Sequence, residues 1–251
     1  MEASGSNTDP NLSRNALLLS LSFSVLALSA CGGGSSGGGI PPAQPPCPII
    51  QNARIMPLGD SITLGEGEEP PGGAVAYRQK LYDDLVAAGY LIDFVGGESD
   101  GAFADADHEG HSGWTAAEVA AAVTDWLNAN PPDIVLLHIG TNGLDPTNGD
   151  DDVADILDAI DSWEAANGNP ITVFLARIID QDPINPDVET FNDNVQAMAL
   201  SRVNDTIILV NQHDALAYPD DLFDSLHPNL TGYGKMADAW FTPLTECLAK
   251  S

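Results

Sequence analysis

The chain has 251 residues, 43% of them hydrophobic, which is enough for one well-buried domain. Its 37 acidic residues against 8 Lys and Arg give a formal charge of −29. Nucleic acids and anionic membranes repel such a polyanion, so we expect neither as a direct partner. We interpret the acidic residues as a solvated coat, the alternative being an acidic patch made for a cationic partner.

The N-terminal segment has the composition of an export signal. Residues 16–30 carry no charge and form a run that is short for a bilayer span but typical of a signal-peptide core. The ending Leu28-Ser29-Ala30-Cys31 resembles the lipobox of bacterial lipoproteins. That resemblance implies a signal peptide at 1–30, cleavage before Cys31 and a lipid on that cysteine. We therefore expect an exported protein held at a bacterial membrane, periplasmic or cell-surface, only through its lipid. The alternative is a hydrophobic helix of the folded domain.

A tether follows at residues 31–48, and the folded domain is predicted at 49–251. Residues 32–39 are Gly and Ser only, which favours a flexible chain, and residues 41–48 are rich in Pro, which favours a stiffer spacer. Cys47 and Cys247 lie at opposite ends of the remaining domain. In an oxidising compartment they could bond to each other, or they could remain free thiols.

Apolar runs alternate with amphipathic stretches along the domain. Five runs are predicted as strands, at residues 55–58, 91–95, 134–139, 171–179 and 207–210. Helical faces are predicted within 77–85, 115–127, 153–160, 188–198 and 233–244, with a capping box from Thr115 to Glu118. This alternation predicts an α/β fold, a three-layer flavodoxin-like sandwich with a five-stranded, mostly parallel sheet and helices on both faces.

An acidic segment at residues 96–110 interrupts this alternation. Four of its carboxylates, Asp100, Asp105, Asp107 and Glu109, could bind a hard cation such as calcium, but their spacing does not match an EF-hand loop. We interpret the segment as a solvated loop. We expect no metal and no cofactor.

Residues with complementary chemistry follow the strands at the edge where ligands bind in open α/β sheets. Ser61 ends the first strand, and Asp224 and His227 stand three positions apart near the other end of the chain. A serine hydroxyl needs a base, His227, and an imidazole base needs an orienting carboxylate, Asp224. The backbone N–H groups of Ser61 and Gly113 and the Asn142 amide could stabilise an oxyanion.

These segments resemble the four blocks of the SGNH, or GDSL-type, hydrolases, and they occur in the family's order. The blocks are Gly59-Asp60-Ser61, Gly113 within His111-Ser112-Gly113-Trp114, Asn142 within Gly140-Thr141-Asn142, and Asp224-x-x-His227. The resemblance implies that Ser61 is the nucleophile, that His227 is the base oriented by Asp224, and that Ser61, Gly113 and Asn142 form the oxyanion hole.

Within that family the chain looks most like carbohydrate esterases of the acetylxylan esterase type. The shared stretches are 56–63, Tyr77-Arg78 and 109–114. Ile62 stands where those esterases usually have Leu, and Gly143 stands where Asp commonly follows the Asn. The resemblance implies a serine esterase that acts on a small ester or an acylated carbohydrate. The lack of an evident lid or long apolar insertion favours short acyl groups, chiefly acetyl, and we expect a monomer. The alternatives are a lysophospholipase or thioesterase on the same scaffold, and a non-catalytic binding lipoprotein.

Other polar residues have simpler interpretations. His138 lies inside an apolar run, and we interpret it as a core histidine, the alternative being a place beneath Asn142 in the pocket. We interpret Arg78 and Arg177 as partners of carboxylates, the alternative being substrate contact. Three histidines near carboxylates could bind metal but lack the spacing of a closed zinc site: His108, His111 and His213.

Overall fold

The computed structural model describes residues 47–250. The strands within this range are β1 (Ala53–Gly59), β2 (Ile92–Phe94), β3 (Glu98–Ser99), β4 (Asp107–Gly110), β5 (Ile134–His138), β6 (Thr172–Arg177) and β7 (Ile207–Asn211). The α-helices are α1 (Ser61–Leu64), α2 (Arg78–Ala87), α3 (Ala116–Ala129), α4 (Gly149–Asn167), α5 (Pro186–Ser201) and α6 (Leu230–Cys247). The predicted signal peptide, the Cys31 lipid and most of the tether lie outside the described residues.

The strands form one mostly parallel sheet, which confirms the predicted fold class. The order is β3-β4-β1-β5-β6-β7, and every pairing except β3 with β4 is parallel. β2 and β4 share one side of β1, β2 beside Ala53 to Ile55 and β4 beside Leu58 and Gly59. The described sheet therefore has seven strands rather than the predicted five, because the segment after β2 forms a short hairpin.

Helices cover both faces of the sheet, as predicted. The side chains of β1 alternate between the two layers, with Met56 and Leu58 on one face and Ala53 and Ile55 on the other. α3, α4 and α5 pack on the first face, and α2 and α6 pack on the second. Burial on both faces explains why β5 is apolar at residues 134–137.

The prediction of a solvated loop at residues 96–110 is wrong for its last part. β4 extends the sheet beside β1, so His108 and Glu109 are 0% and 1% exposed. A buried carboxylate needs hydrogen-bond donors, and Glu109 receives them from the Gly97 N–H and from His111 Nε2, the latter at 2.9 Å. Glu109 is therefore part of the sheet beside β1 and not of a solvated coat.

The two ends of the described chain are joined. Cys47 and Cys247 form a disulfide with their Cα atoms 5.5 Å apart. Backbone hydrogen bonds beside it, from Ile50 N to Cys247 O and from Ala249 N to Ile50 O, are both 2.8 Å long. This junction precedes β1 and therefore lies at the amino ends of the parallel strands, whereas Ser61 lies at their carboxyl ends. Within residues 47–250, none of the helices combines the length and the apolar character needed to cross a bilayer.

Candidate active site

Ser61 is held at the carboxyl end of β1 by a sharp strand-to-helix turn. Asp60 is the N-cap of α1, and its Oδ1 accepts a hydrogen bond of 3.0 Å from Ile62 N. This cap makes Ser61 the first residue of the helix, where its N–H is one of the donors left free of intrahelical bonds. Ser61 is 4% exposed, so its hydroxyl is largely screened from water.

His227 reaches that hydroxyl from the loop before α6. Its Nε2 lies 3.0 Å from Ser61 Oγ, and its Nδ1 lies 2.9 Å from Asp224 Oδ2. The other oxygen of Asp224 accepts backbone hydrogen bonds from Leu226 N at 2.8 Å and from His227 N at 2.7 Å. The structure thus brings together the three predicted residues in the order hydroxyl, imidazole, carboxylate.

The surroundings shift the pKa values of Asp224 and Asp60, two of the carboxyl groups near the imidazole. Burial alone would raise the pKa of Asp224, but hydrogen bonds from the backbone and ring of His227 and from Leu226 outweigh it and hold that pKa below its usual range. Burial raises the pKa of Asp60 to about 6, against the opposing effects of Ile62 N, the Thr141 hydroxyl and His227. Asp224 is therefore suited to hold an imidazolium, whereas Asp60 serves to cap the turn.

The segment that contains Gly113 lies beside the same turn. His111 N donates to Gly59 O at 2.9 Å, which ties this segment to the end of β1. Gly113 adopts φ +77°, a backbone conformation that favours glycine. The predicted capping box is confirmed, since Thr115 and Glu118 bond each other's backbone N–H at the start of α3. Gly113 is thus fixed between a strand end and a capped helix.

Asn142 joins this arrangement through its side chain. Its Nδ2 donates a hydrogen bond of 3.0 Å to Trp114 O, the carbonyl next to Gly113. One hydrogen of the Asn142 amide is used in this contact, and the second remains available as a hydrogen-bond donor. Gly143, which replaces the more usual Asp, has φ +66°, so this turn is built on a left-handed glycine. The support of Asn142 comes from the Gly113 segment.

Comparison with known proteins decides the family. Residues 58–235 match the GDSL-like Lipase/Acylhydrolase family. The chain belongs to this family. The resemblance inferred from the four sequence blocks is thereby confirmed, and the matched region is, by class, a carboxylic ester hydrolase domain.

Three relatives show what this GDSL-like domain is similar to. It is 32% identical to a family 3 carbohydrate esterase of Clostridium thermocellum, with a TM-score of 0.63 over 75% of this chain and 93% of that one. It is 25% identical to a family 3 carbohydrate esterase of Talaromyces cellulolyticus, with a TM-score of 0.66 over 77% and 97%. A multidomain esterase of Ruminococcus flavefaciens is 30% identical over 82% of this chain. This chain spans only 31% of that curated relative.

Arg78 has a different role in this GDSL-like domain from the one predicted. The interpretation as a partner of a carboxylate is wrong, because the fully buried guanidinium donates to five backbone carbonyls, at 2.8 to 3.1 Å. Two of them, Thr63 O and Leu64 O, belong to α1, the helix that begins with the nucleophile. Burial lowers the pKa of Arg78 to about 10, so the side chain stays charged at neutral pH. Arg78 thus fixes the end of α1.

The other candidate residues are accounted for by local contacts. Arg177 pairs with Glu189 and Asp193, each at 2.9 Å, which confirms its interpretation as a carboxylate partner. His138 is fully buried, and its Nε2 accepts from Ile179 N at 3.3 Å, which confirms a core histidine. The three histidines weighed as metal ligands each face a carboxylate: His108, His111 and His213. Across 47–250, no three His, Cys, Asp or Glu side chains converge to hold a metal ion.

Sequence reasoning missed one acidic residue at the site. Glu66 Oε2 lies 3.6 Å from His227 Nε2, the ring nitrogen that faces Ser61. The only sequence signal was its position five residues after the serine, in a loop that the apolar pattern leaves undefined. Each of the two imidazole nitrogens of His227 therefore has a carboxylate near it, Asp224 beside Nδ1 and Glu66 beside Nε2.

Proposed function

We propose that the protein is a serine esterase that removes short acyl groups, acetyl above all, from acylated carbohydrate. The observation that carries this proposal is the relay from Ser61 Oγ to His227 Nε2 at 3.0 Å and from His227 Nδ1 to Asp224 at 2.9 Å. Membership of the GDSL-like family and the similarity to two family 3 carbohydrate esterases support the substrate class.

The proposed reaction has two acyl-transfer steps. His227 takes the proton of Ser61 as its oxygen attacks the ester carbonyl, and Asp224 stabilises the resulting imidazolium. His227 then gives that proton to the departing alcohol, which leaves an acyl-enzyme on Ser61. A water molecule, deprotonated by the same imidazole, then attacks the acyl carbon. The bond from that carbon to Ser61 Oγ breaks, His227 returns the proton to Oγ, and the acid is released.

The oxyanion of both steps needs fixed donors. The N–H of Ser61, the N–H of Gly113 and the free amide hydrogen of Asn142 are the proposed set, and each such donor is typically worth about 3–4 kcal/mol of transition-state stabilisation. The hydrogen bond from Asn142 to Trp114 O holds the amide in place before substrate arrives.

The test combines an acyl-chain series with a trap for the nucleophile. We expect p-nitrophenyl acetate to be hydrolysed faster than the decanoate, and acetate to be released from acetylated xylan faster than from acetylated simple alcohols. A fluorophosphonate probe should label Ser61, and Ser61→Ala should abolish both labelling and turnover. Faster decanoate turnover would favour a lysophospholipase, and an unlabelled, inactive wild-type protein would favour a binding lipoprotein.

We also propose that the protein is anchored through a lipid on Cys31. The support is the uncharged run at 16–30 and its Leu-Ser-Ala-Cys ending. Growth with an alkyne fatty acid should label the wild type but not Cys31→Ser, which should leave the membrane fraction. Equal labelling of both proteins would contradict the proposal.

A further inference from the structure

The loop after α1, residues 65–69, presents Glu66 to the imidazole from a fixed backbone. Glu66 N donates to Ser61 O at 3.0 Å, and Tyr233 Oη donates to Glu66 O at 2.6 Å. Gly67 has φ +122°, and a Cβ added there would lie 2.5 Å from Pro228 O. The backbone of Glu66 is therefore held between the helix of Ser61, α6 and the loop of His227.

The Glu66 carboxylate lies where the alcohol half of an ester substrate would bind. His227 Nε2, 3.6 Å from Glu66 Oε2, is the nitrogen that must hand a proton to the departing alcohol. The alcohol oxygen must therefore approach Nε2, which places the alcohol half of the ester beside Glu66. The Glu66 side chain is 40% exposed, so its carboxylate is open to a substrate group.

No Lys or Arg side chain pairs with Glu66 in the part of the chain that the structure describes, and its one basic neighbour, His227, already pairs with Asp224. Each Lys and Arg between residues 47 and 250 is engaged elsewhere: Arg54 with Asp93, Arg78 with backbone carbonyls, Lys80 with Asp84 and Asp238, Arg177 with Glu189 and Asp193, Arg202 with Asp158, Asp161 and Asp205, Lys235 with Asp221, and Lys250 over the Tyr90 ring. An anionic group on the alcohol would be repelled by Glu66 with no Lys or Arg to offset the repulsion, whereas sugar hydroxyls would find a hydrogen-bond acceptor.

We propose that Glu66 is a specificity-determining residue that restricts the enzyme to esters whose alcohol half carries no negative charge. Neutral sugar esters would be accepted, and esters of uronate-bearing sugars would be turned over poorly. The inference rests on the proposed function, because it assigns Glu66 to the alcohol half of an ester attacked by Ser61.

Two aryl acetates of matched shape test this assignment: 5-acetoxy-2-nitrobenzamide, which is neutral, and 5-acetoxy-2-nitrobenzoate, which is anionic. The preference is the ratio of their kcat/KM values, neutral over anionic. In Glu66→Gln the preference should fall about fivefold, because the charge is lost while volume and polarity remain. Glu66→Asp, which keeps the charge, should retain most of the preference.

Glu69→Gln is the matched control, since it removes one charge from the same loop at an exposed residue. It should leave the preference within about twofold of the wild type, and the wild-type preference should shrink in high salt. An unchanged preference in Glu66→Gln, or an equal fall in Glu69→Gln, would overturn the assignment. Wild-type protein that hydrolyses neither ester would instead contradict the proposed function itself.

Discussion

Replacing Arg78 with Lys is expected to destabilise the domain far more than a conservative change of charge would suggest. The guanidinium donates hydrogen bonds to five backbone carbonyls, those of Thr63, Leu64, Ala74, Asp100 and Ala106. A lysine ammonium has three donors at a single point, so at least two of these buried carbonyls lose their partner. Hydrogen bonds from charged donors contribute about 1.5–3 kcal/mol each, so we expect a loss of about 3–6 kcal/mol in the free energy of unfolding.

Urea denaturation at neutral pH measures this loss, with Arg177→Lys as the matched control. Arg177 binds the exposed carboxylates of Glu189 and Asp193, so its replacement should cost less than about 1 kcal/mol. Arg78→Lys should also lower kcat, because Thr63 and Leu64 belong to the helix that begins at Ser61. Equal losses of stability in the two variants would refute the idea that Arg78 acts through backbone carbonyls.

Three further predictions concern the oxyanion donor, the buried histidine and the disulfide. Asn142→Ala should lower kcat for p-nitrophenyl acetate about 100- to 1,000-fold with little change in KM; an effect confined to KM would exclude oxyanion stabilisation. Burial lowers the pKa of His138 from 6.5 to about 4, so the unfolded chain binds this proton first as the pH falls. Between pH 7 and pH 5 the wild type should therefore lose about 2 kcal/mol more stability than His138→Gln, as measured by urea denaturation. Replacing Cys47 and Cys247, which are 200 residues apart, with Ser should cost about 2–5 kcal/mol, and reduced wild type should behave like the double variant in thermal denaturation.

The parts of the fold predicted from sequence are those in which one physical pattern dominates. β5 is apolar at nearly every position because both its faces are covered. The capping box at Thr115 marks the start of α3 in the sequence. Ser61, Asp224 and His227 were predicted from reactivity, since a serine nucleophile requires a base and that base requires a carboxylate. The topology of a parallel sheet then accounts for how residues so distant in the chain share one edge.

The parts that were missed depend on burial that composition does not reveal. Glu109 and His108 look like members of an acidic loop, and only their pairing beside β1 makes them part of the sheet. Arg78 looks like a partner for one of many carboxylates, whereas its guanidinium donates to five backbone carbonyls. Glu66 depends on a loop whose course is set by Tyr233, from the far end of the chain. Such contacts join residues that are far apart in the sequence, and local sequence patterns do not predict them.

The disulfide between Cys47 and Cys247 and the nucleophile Ser61 lie at opposite ends of the parallel strands. The two ends of the described range, residues 47 and 250, lie near the amino ends of the parallel strands, and the seven residues of β1, roughly 20 Å of strand, separate them from Ser61. A fusion partner joined directly to residue 47 or residue 250 would therefore begin on the side of the domain away from Ser61. A force applied at residue 47 would be shared with residue 247 through the disulfide and would not act on β1 alone.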